Sequence, residues 1–434
     1  MKQIKQLLWK IGLFYFIFLS AHAENTSFSA PDSISSNPAA VNINPGTGAL
    51  QRYLENKLGI INNHGIEFTG SWIADTNDLF SGGIQDATRW TNNSALLLGM
   101  TLDTEKLMGW QDGLFGVQGL QFNGQNTNGQ AGVLQGYNSL PASPPFNRTE
   151  LYELWFRQAL FNNKFYIRIG KQVPTIDFGN VVRPIPLANE DIAIPAVSSL
   201  IYTPVFLNPT TIGVLPGFYN SIYGITFSFI PNKRWYFLYG LYNGSLAQGQ
   251  QTGEQAAPNL NGTYFHIAET GFDWLLGKNQ LPGDFGIGVW HQDGLIKASD
   301  TLFENAASGA YVFATQRLWY KNPGIDNVGI SSFYQYGINN SAVLPFKKYV
   351  GAGLTGFGLI STRLHDSLGA GVALSWLNQQ RFSRATELMY QAYYQAKLMQ
   401  GIYLEPVISY VPTPGESNNL NSVWAGTLRL ILLF

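Results

Sequence analysis

Ser422 to Phe434 reads Ser-Val-Trp-Ala-Gly-Thr-Leu-Arg-Leu-Ile-Leu-Leu-Phe. Taken with a period of two, Trp424, Leu428, Leu430, Leu432 and Phe434 point one way, and Ala425, Thr427 and Arg429 point the other. The first set is oily, with an aromatic ring at each end; the second is small or polar and carries a cation. A strand in a soluble sandwich has no need of that pattern. A strand with lipid outside, water inside and a ring at each interface does.

Composition agrees. Of 434 residues only 12% are charged, against the roughly 25% usual in soluble domains. Aromatics make up 14%, and there are 46 Gly. The mean hydropathy is nevertheless −0.03, as expected when apolar and polar positions alternate and cancel. No later stretch is long and apolar enough to be a helical span. Cysteine is absent, which removes disulfide frameworks, thiolate metal sites and cysteine nucleophiles. The formal charge of −1 gives no reason to propose a nucleic-acid partner.

Lys2, Lys5 and Lys10 precede the apolar run Ile11–Leu19, and Ala21-His22-Ala23 follows. This is the order of a secretory signal peptide over 1–23, with cleavage expected after Ala23. Residues 24–64 then form an expected periplasmic segment. In it Leu50, Tyr53 or Leu54, and Leu58 sit at helical spacing before Gly59, predicting a short helix that either plugs the barrel mouth or hangs below it.

From residue 65 to 434 the pattern is strand, turn, strand. Sixteen strands are expected, beginning near Gly65, Ser94, Leu114, Thr149, Phe165, Asn220, Trp235, Thr263, Phe285, Gly309, Val328, Tyr349, Leu368, Glu387, Ile402 and Ser422. In the fourteenth, Leu388, Tyr390, Ala392, Tyr394, Ala396 and Leu398 share one face, and Glu387, Gln391, Gln395 and Lys397 share the other. Breaks after even strands are short, as at Phe161-Asn162-Asn163 and Gln400-Gly401; those after odd strands are mostly longer, roughly 76–93, 124–148, 174–217 and 244–261. Short periplasmic turns and long outer loops on an even number of strands define a bacterial outer-membrane β-barrel, all-β and antiparallel, closed because hydrocarbon cannot solvate an open edge. Sixteen strands leave an aqueous channel where eight would fill with side chains.

Catalytic chemistry is not signalled. His64, His266, His291 and His365 show no metal-binding spacing and no nucleophile motif, so no cofactor or metal is expected and the chain is not read as an enzyme. The 174–217 loop is the functional candidate: a loop of this length is usually functional or disordered, and its apolar content argues against disorder. Folded into the lumen it would narrow the channel; an external cap is the alternative. It carries Asp177, Arg183, Glu190 and Asp191. On the flanking strands, Glu153, Trp155 and Arg157 share the expected lumen face of one, and Tyr166 and Arg168 that of the next. Planar charged groups beside aromatic rings suit sugar hydroxyls and C–H faces. Ordinary charge pairing along a barrel wall is equally compatible with them.

The chain resembles the carbohydrate-selective outer-membrane porins of the OprB type. The resemblance rests on Gly65-Ile66-Glu67-Phe68-Thr69-Gly70, Arg168-Ile169-Gly170-Lys171 followed by Asp177-Phe178, and Gly240-Leu241-Tyr242-Asn243-Gly244. Near the C-terminus it rests on Glu387 and Tyr390, Leu404-Glu405-Pro406, Tyr410-Val411-Pro412, Pro414-Gly415, and Gly426-Thr427-Leu428-Arg429. It implies facilitated diffusion of monosaccharides, glucose-like sugars above all, through an eyelet lined by Arg and Glu. Arg157, Arg168 and Glu153 carry that role over, with Arg183 and Glu190 beside them. Expected partners are small sugars and outer-membrane lipid or lipopolysaccharide, with one barrel or a homotrimer left open. A general porin, a barrel lipid hydrolase and a surface-contact protein are the rival readings.

Overall fold

The structure is a computed structural model. It describes residues 65–141, 144–179, 181–182, 185–186, 193–194, 199–217, 219–232, 234–249, 257–258, 262–322 and 327–433. The expected signal peptide, the 24–64 segment with its helix, and Arg183, Glu190 and Asp191 lie outside the described residues.

Sixteen antiparallel strands close into one barrel. They are β1 (Ile66–Ser81), β2 (Trp90–Asp103), β3 (Gly113–Asn123), β4 (Asn147–Leu160), β5 (Phe165–Gln172), β6 (Ile222–Phe229), β7 (Trp235–Asn243) and β8 (Tyr264–Leu276). They continue as β9 (Leu281–Lys297), β10 (Phe303–Tyr320), β11 (Gly329–Asn339), β12 (Phe346–Phe357), β13 (Ser367–Leu377), β14 (Thr386–Met399), β15 (Ile402–Val411) and β16 (Val423–Leu433). Each pairs with its neighbour in sequence, and β16 pairs with β1 from Ser71–Leu433 to Ser81–Trp424, so no edge is left unpaired. No helix among the described residues is long and apolar enough to cross a membrane.

Several boundaries differ from the sequence expectation. β2, β9, β10 and β12 start four, four, six and three residues earlier, at Trp90, Leu281, Phe303 and Phe346. The first outer loop is only 82–89, because β1 runs on to Ser81. Pairing with a neighbouring strand carries these ends past the point where alternation fades. The tight turn after β4 is set by three successive left-handed residues, Phe161, Asn162 and Asn163, at φ of 54°, 54° and 60°. The two asparagines tolerate that region.

The two faces separate as the alternation requires. Trp424 and Leu428 are 41% and 49% exposed on the outer face, whereas Thr427 and Arg429 are buried inside. Tyr390, Tyr410 and Trp424 form an outward aromatic row across β14, β15 and β16, with Tyr410 and Trp424 stacked 4.4 Å apart. Near the other ends of the strands, Trp235, Phe272 and Trp274 form a second cluster. Two aromatic bands bounding an apolar belt are what a membrane-spanning barrel presents to lipid.

The inner face is less uniformly polar than alternation alone suggests. Leu120, Phe122, Phe333 and Tyr349 point inward and are fully buried. They join a core with Val133, Tyr137 and Leu140 of the β3–β4 loop (124–146) and with Leu200, Ile201, Tyr202 and Val205 of the β5–β6 loop (173–221). The buried apolar mass thus lies between the inner wall and two long loops.

Candidate functional site

The site is built on β4 and β5. In their register Arg157 stands directly opposite Arg168, and Trp155 opposite Gly170. A bulge at Tyr152, opposite the Gln118–Gly119 step of β3, turns both Tyr152 and Glu153 away from lipid; both are buried. Tyr152 uses its hydroxyl to accept the Tyr219 N–H, 2.9 Å away at the far end of the β5–β6 loop.

The arginines rest on rings. The Arg157 guanidinium lies 5.3 Å from the Tyr166 ring centre, and that of Arg168 lies 5.8 Å from Trp155. Trp155 is 4% exposed and packs against Gly116, where an added Cβ would come within 2.3 Å of the indole. Both arginines keep partial exposure.

The β5–β6 loop meets this wall at once. Glu153 accepts the Val173 N–H at 3.2 Å through one oxygen, and its other oxygen is buried without a hydrogen-bond partner. Pro174–Ile176 make one tight turn, which delivers Asp177 to the Arg168 guanidinium. Arg168 also donates through Nε to Gln172 at 2.6 Å, and Thr226 donates to the same Gln172 oxygen at 2.9 Å. The loop then crosses strand by strand: Phe178 meets Tyr242 of β7 edge-on, and Gly179 N–H donates to Glu269 of β8 at 2.6 Å. Glu269 accepts further bonds from the hydroxyls of Tyr236 (3.0 Å) and Tyr311 (2.7 Å).

The returning limb is held on the opposite wall by β14. Gln391 accepts from the Ile201 and Tyr202 N–H groups at 2.6 and 3.1 Å and donates to the Tyr137 carbonyl at 2.8 Å. The two loops also bond to each other, Ser139 N–H to Ile201 O at 2.7 Å and Thr203 N–H to Gly136 O at 2.9 Å. Burial pushes the Tyr137, Tyr202 and Tyr219 phenols well above their usual range.

The structure therefore brings together Glu153, Trp155, Arg157 and Arg168. Sequence reasoning did not reach Gln172, Thr226, Tyr242 or Glu269 as parts of this neighbourhood. Their common signal, inward position on consecutive strands, is visible only once the register is known. Among the described residues no group of three or more His, Asp or Glu is placed to hold a metal ion.

A family model described as carbohydrate-selective porin, OprB family, matches residues 88–434. Porin B of Pseudomonas aeruginosa is 20% identical over 412 residues, covering 85% of this chain and 88% of that protein. The high-pH structure of Pseudomonas putida OprB superposes with a TM-score of 0.72 at 18% identity, over 89% of this chain and 96% of that one. The low-pH structure of the same protein gives 0.56 at 15% identity, over 89% and 98%. At these identities the structural likeness speaks for the fold, and the family assignment rests on the sequence match.

Proposed function

The chain belongs to the OprB family of carbohydrate-selective porins, and from that premise we propose that it admits monosaccharides, glucose-like sugars first, through a lumen narrowed by the β5–β6 loop beside Arg157 and Arg168. It is a channel of the bacterial outer membrane and not an enzyme. The substrate is a carbohydrate; which carbohydrate, and where it pauses, are the parts proposed.

One observation carries the finer reading: two cross-strand guanidiniums, each laid on an aromatic ring, are partly exposed at the point where the loop leaves the wall. Such planar donors bridge adjacent ring hydroxyls. Asp177 offsets the charge of Arg168, which weakens anion selection while leaving donors in place. Trp155 and Glu153 act from behind, Trp155 by backing Arg168 and Glu153 by holding Val173. Weak, multipoint hydrogen bonding lets a solute enter and leave down its gradient.

Planar-bilayer conductance with and without glucose tests this. Millimolar glucose is expected to reduce the ion current of the unmodified channel. Arg168→Ala is expected to abolish that block with the barrel intact, and Glu153→Ala to weaken it by releasing the start of the loop. A current indifferent to glucose would overturn the glucose reading and point to another carbohydrate.

A further inference from the structure

Glu387 is one of the residues on which the family likeness rests, yet it lies on β14, far around the wall from the paired arginines. It is fully buried. Its carboxylate accepts three backbone N–H groups: Leu134 at 2.9 Å, Gln135 at 2.6 Å, and Gly415 at 2.5 Å. Gln135 replies with its side-chain amide to the Glu387 carbonyl at 2.9 Å, and its own amide oxygen accepts from Ser375 of β13 at 2.8 Å. Gly415 belongs to the Pro414-Gly415 pair of the β15–β16 loop (412–422), also quoted for the likeness. A Cβ there would lie 2.7 Å from a Glu387 oxygen and 2.9 Å from Leu134. Two separated pieces of the sequence signature thus meet in one clasp.

The chemistry of the clasp says what it is for. Among the described residues no ion pair reaches Glu387; its charge is met by N–H dipoles alone. A carboxylate gripping backbone fixes the path of a loop whatever side chains that loop carries. The path it fixes is that of the β3–β4 loop, whose next residues, Gly136 to Ser139, bond to Ile201 and Thr203 of the β5–β6 loop. Gln391, two inward positions further along β14, holds both loops at that junction.

We infer that Glu387, seconded by Gln391, is a positioning residue that sets the bore of the channel by locking the β3–β4 loop to the β5–β6 loop. The inference rests on the reading of these loops as the narrowing of a water-filled pore. It does not depend on which solute passes.

Single-channel conductance and liposome swelling with a mono-, a di- and a trisaccharide test it in the full-length protein folded in lipid. Glu387→Ala is expected to raise conductance and to lose the discrimination between mono- and trisaccharides, with the barrel still resistant to detergent. Gln391→Ala is expected to shift both readouts in the same direction. Glu387→Gln, which keeps the volume and one acceptor oxygen, is expected to fall between. Should Glu387→Ala fail to assemble, the other two variants carry the test. Folded variants with unmodified conductance and size cut-off would overturn the inference. An unmodified channel indifferent to glucose, whose cut-off still widens in these variants, would overturn the glucose reading and leave the clasp standing.

Discussion

Replacing Arg429 with Met should weaken the barrel at its closing seam. Arg429 on β16 meets Asp75 on β1 in a bidentate pair, Nε to Oδ1 at 2.8 Å and Nη2 to Oδ2 at 2.7 Å, with side-chain exposures of 2% and 0%. Asn138 from the β3–β4 loop completes the group, donating to Asp75 at 2.7 Å and to Asn77 at 2.9 Å. Glu405 stands across the register from Arg429 on β15, fully buried, with one oxygen lacking a hydrogen-bond partner. Arg429 is thus the cation between two buried acids. Methionine keeps the stem and removes the charge, leaving Asp75 and Glu405 uncompensated. Breaking a buried pair from one side costs about 3–5 kcal/mol. Denaturant unfolding of the barrel in lipid vesicles, followed by tryptophan fluorescence and gel mobility, measures the loss. Asp75→Asn on the Arg429→Met background should return part of it, with a coupling of roughly 0.5–3 kcal/mol as for groups in direct contact. A loss of under about 1 kcal/mol, the worth of a solvent-screened surface pair, would refute the reasoning.

Other consequences follow from the same geometry. Leu428→Arg puts a guanidinium on a 49%-exposed outward position in mid-strand, and should cost about 2–4 kcal/mol near the bilayer midplane, read as a lower folding yield in vesicles. Gly116→Ala places a methyl 2.3 Å from the Trp155 ring; overpacking of about 1–3 kcal/mol is expected in unfolding, together with a weaker glucose block as Trp155 shifts under Arg168. In the β12–β13 turn, burial alone would raise the Asp366 carboxyl, but hydrogen bonds from the Tyr394 hydroxyl, Arg363 and the Lys397 N–H hold it below the usual carboxylate range. With the folded value the lower one, its stabilisation is complete above the unfolded value and lost as pH falls through the folded one. Asp366→Asn should therefore flatten the acid side of a thermal-midpoint profile against pH.

The split between what was legible and what was not follows the range of the interactions. Alternation along β14 and β16 is a property of neighbours two residues apart, so the sequence by itself determined which side chains of those strands meet lipid, that the strands number sixteen, and that they form a closed sheet. Membrane thickness and the ban on unpaired edges left little else for such a pattern to do. Alternation along β4 and β5 put Arg157 and Arg168 on the inward face, but that each guanidinium would lie over an aromatic ring of the other strand depends on the register. The loops were not legible. Asp177 on Arg168, Gly179 on Glu269, and Leu134 and Gln135 on Glu387 join residues brought together only when the barrel closes and its register is set. Nothing local marks a backbone N–H as the ligand of a distant carboxylate, since every residue but proline carries one. Only the tertiary structure decided that Glu153 would be buried beneath Val173 and that Glu387, read from sequence as one more polar residue facing the lumen, would be the anchor of a loop.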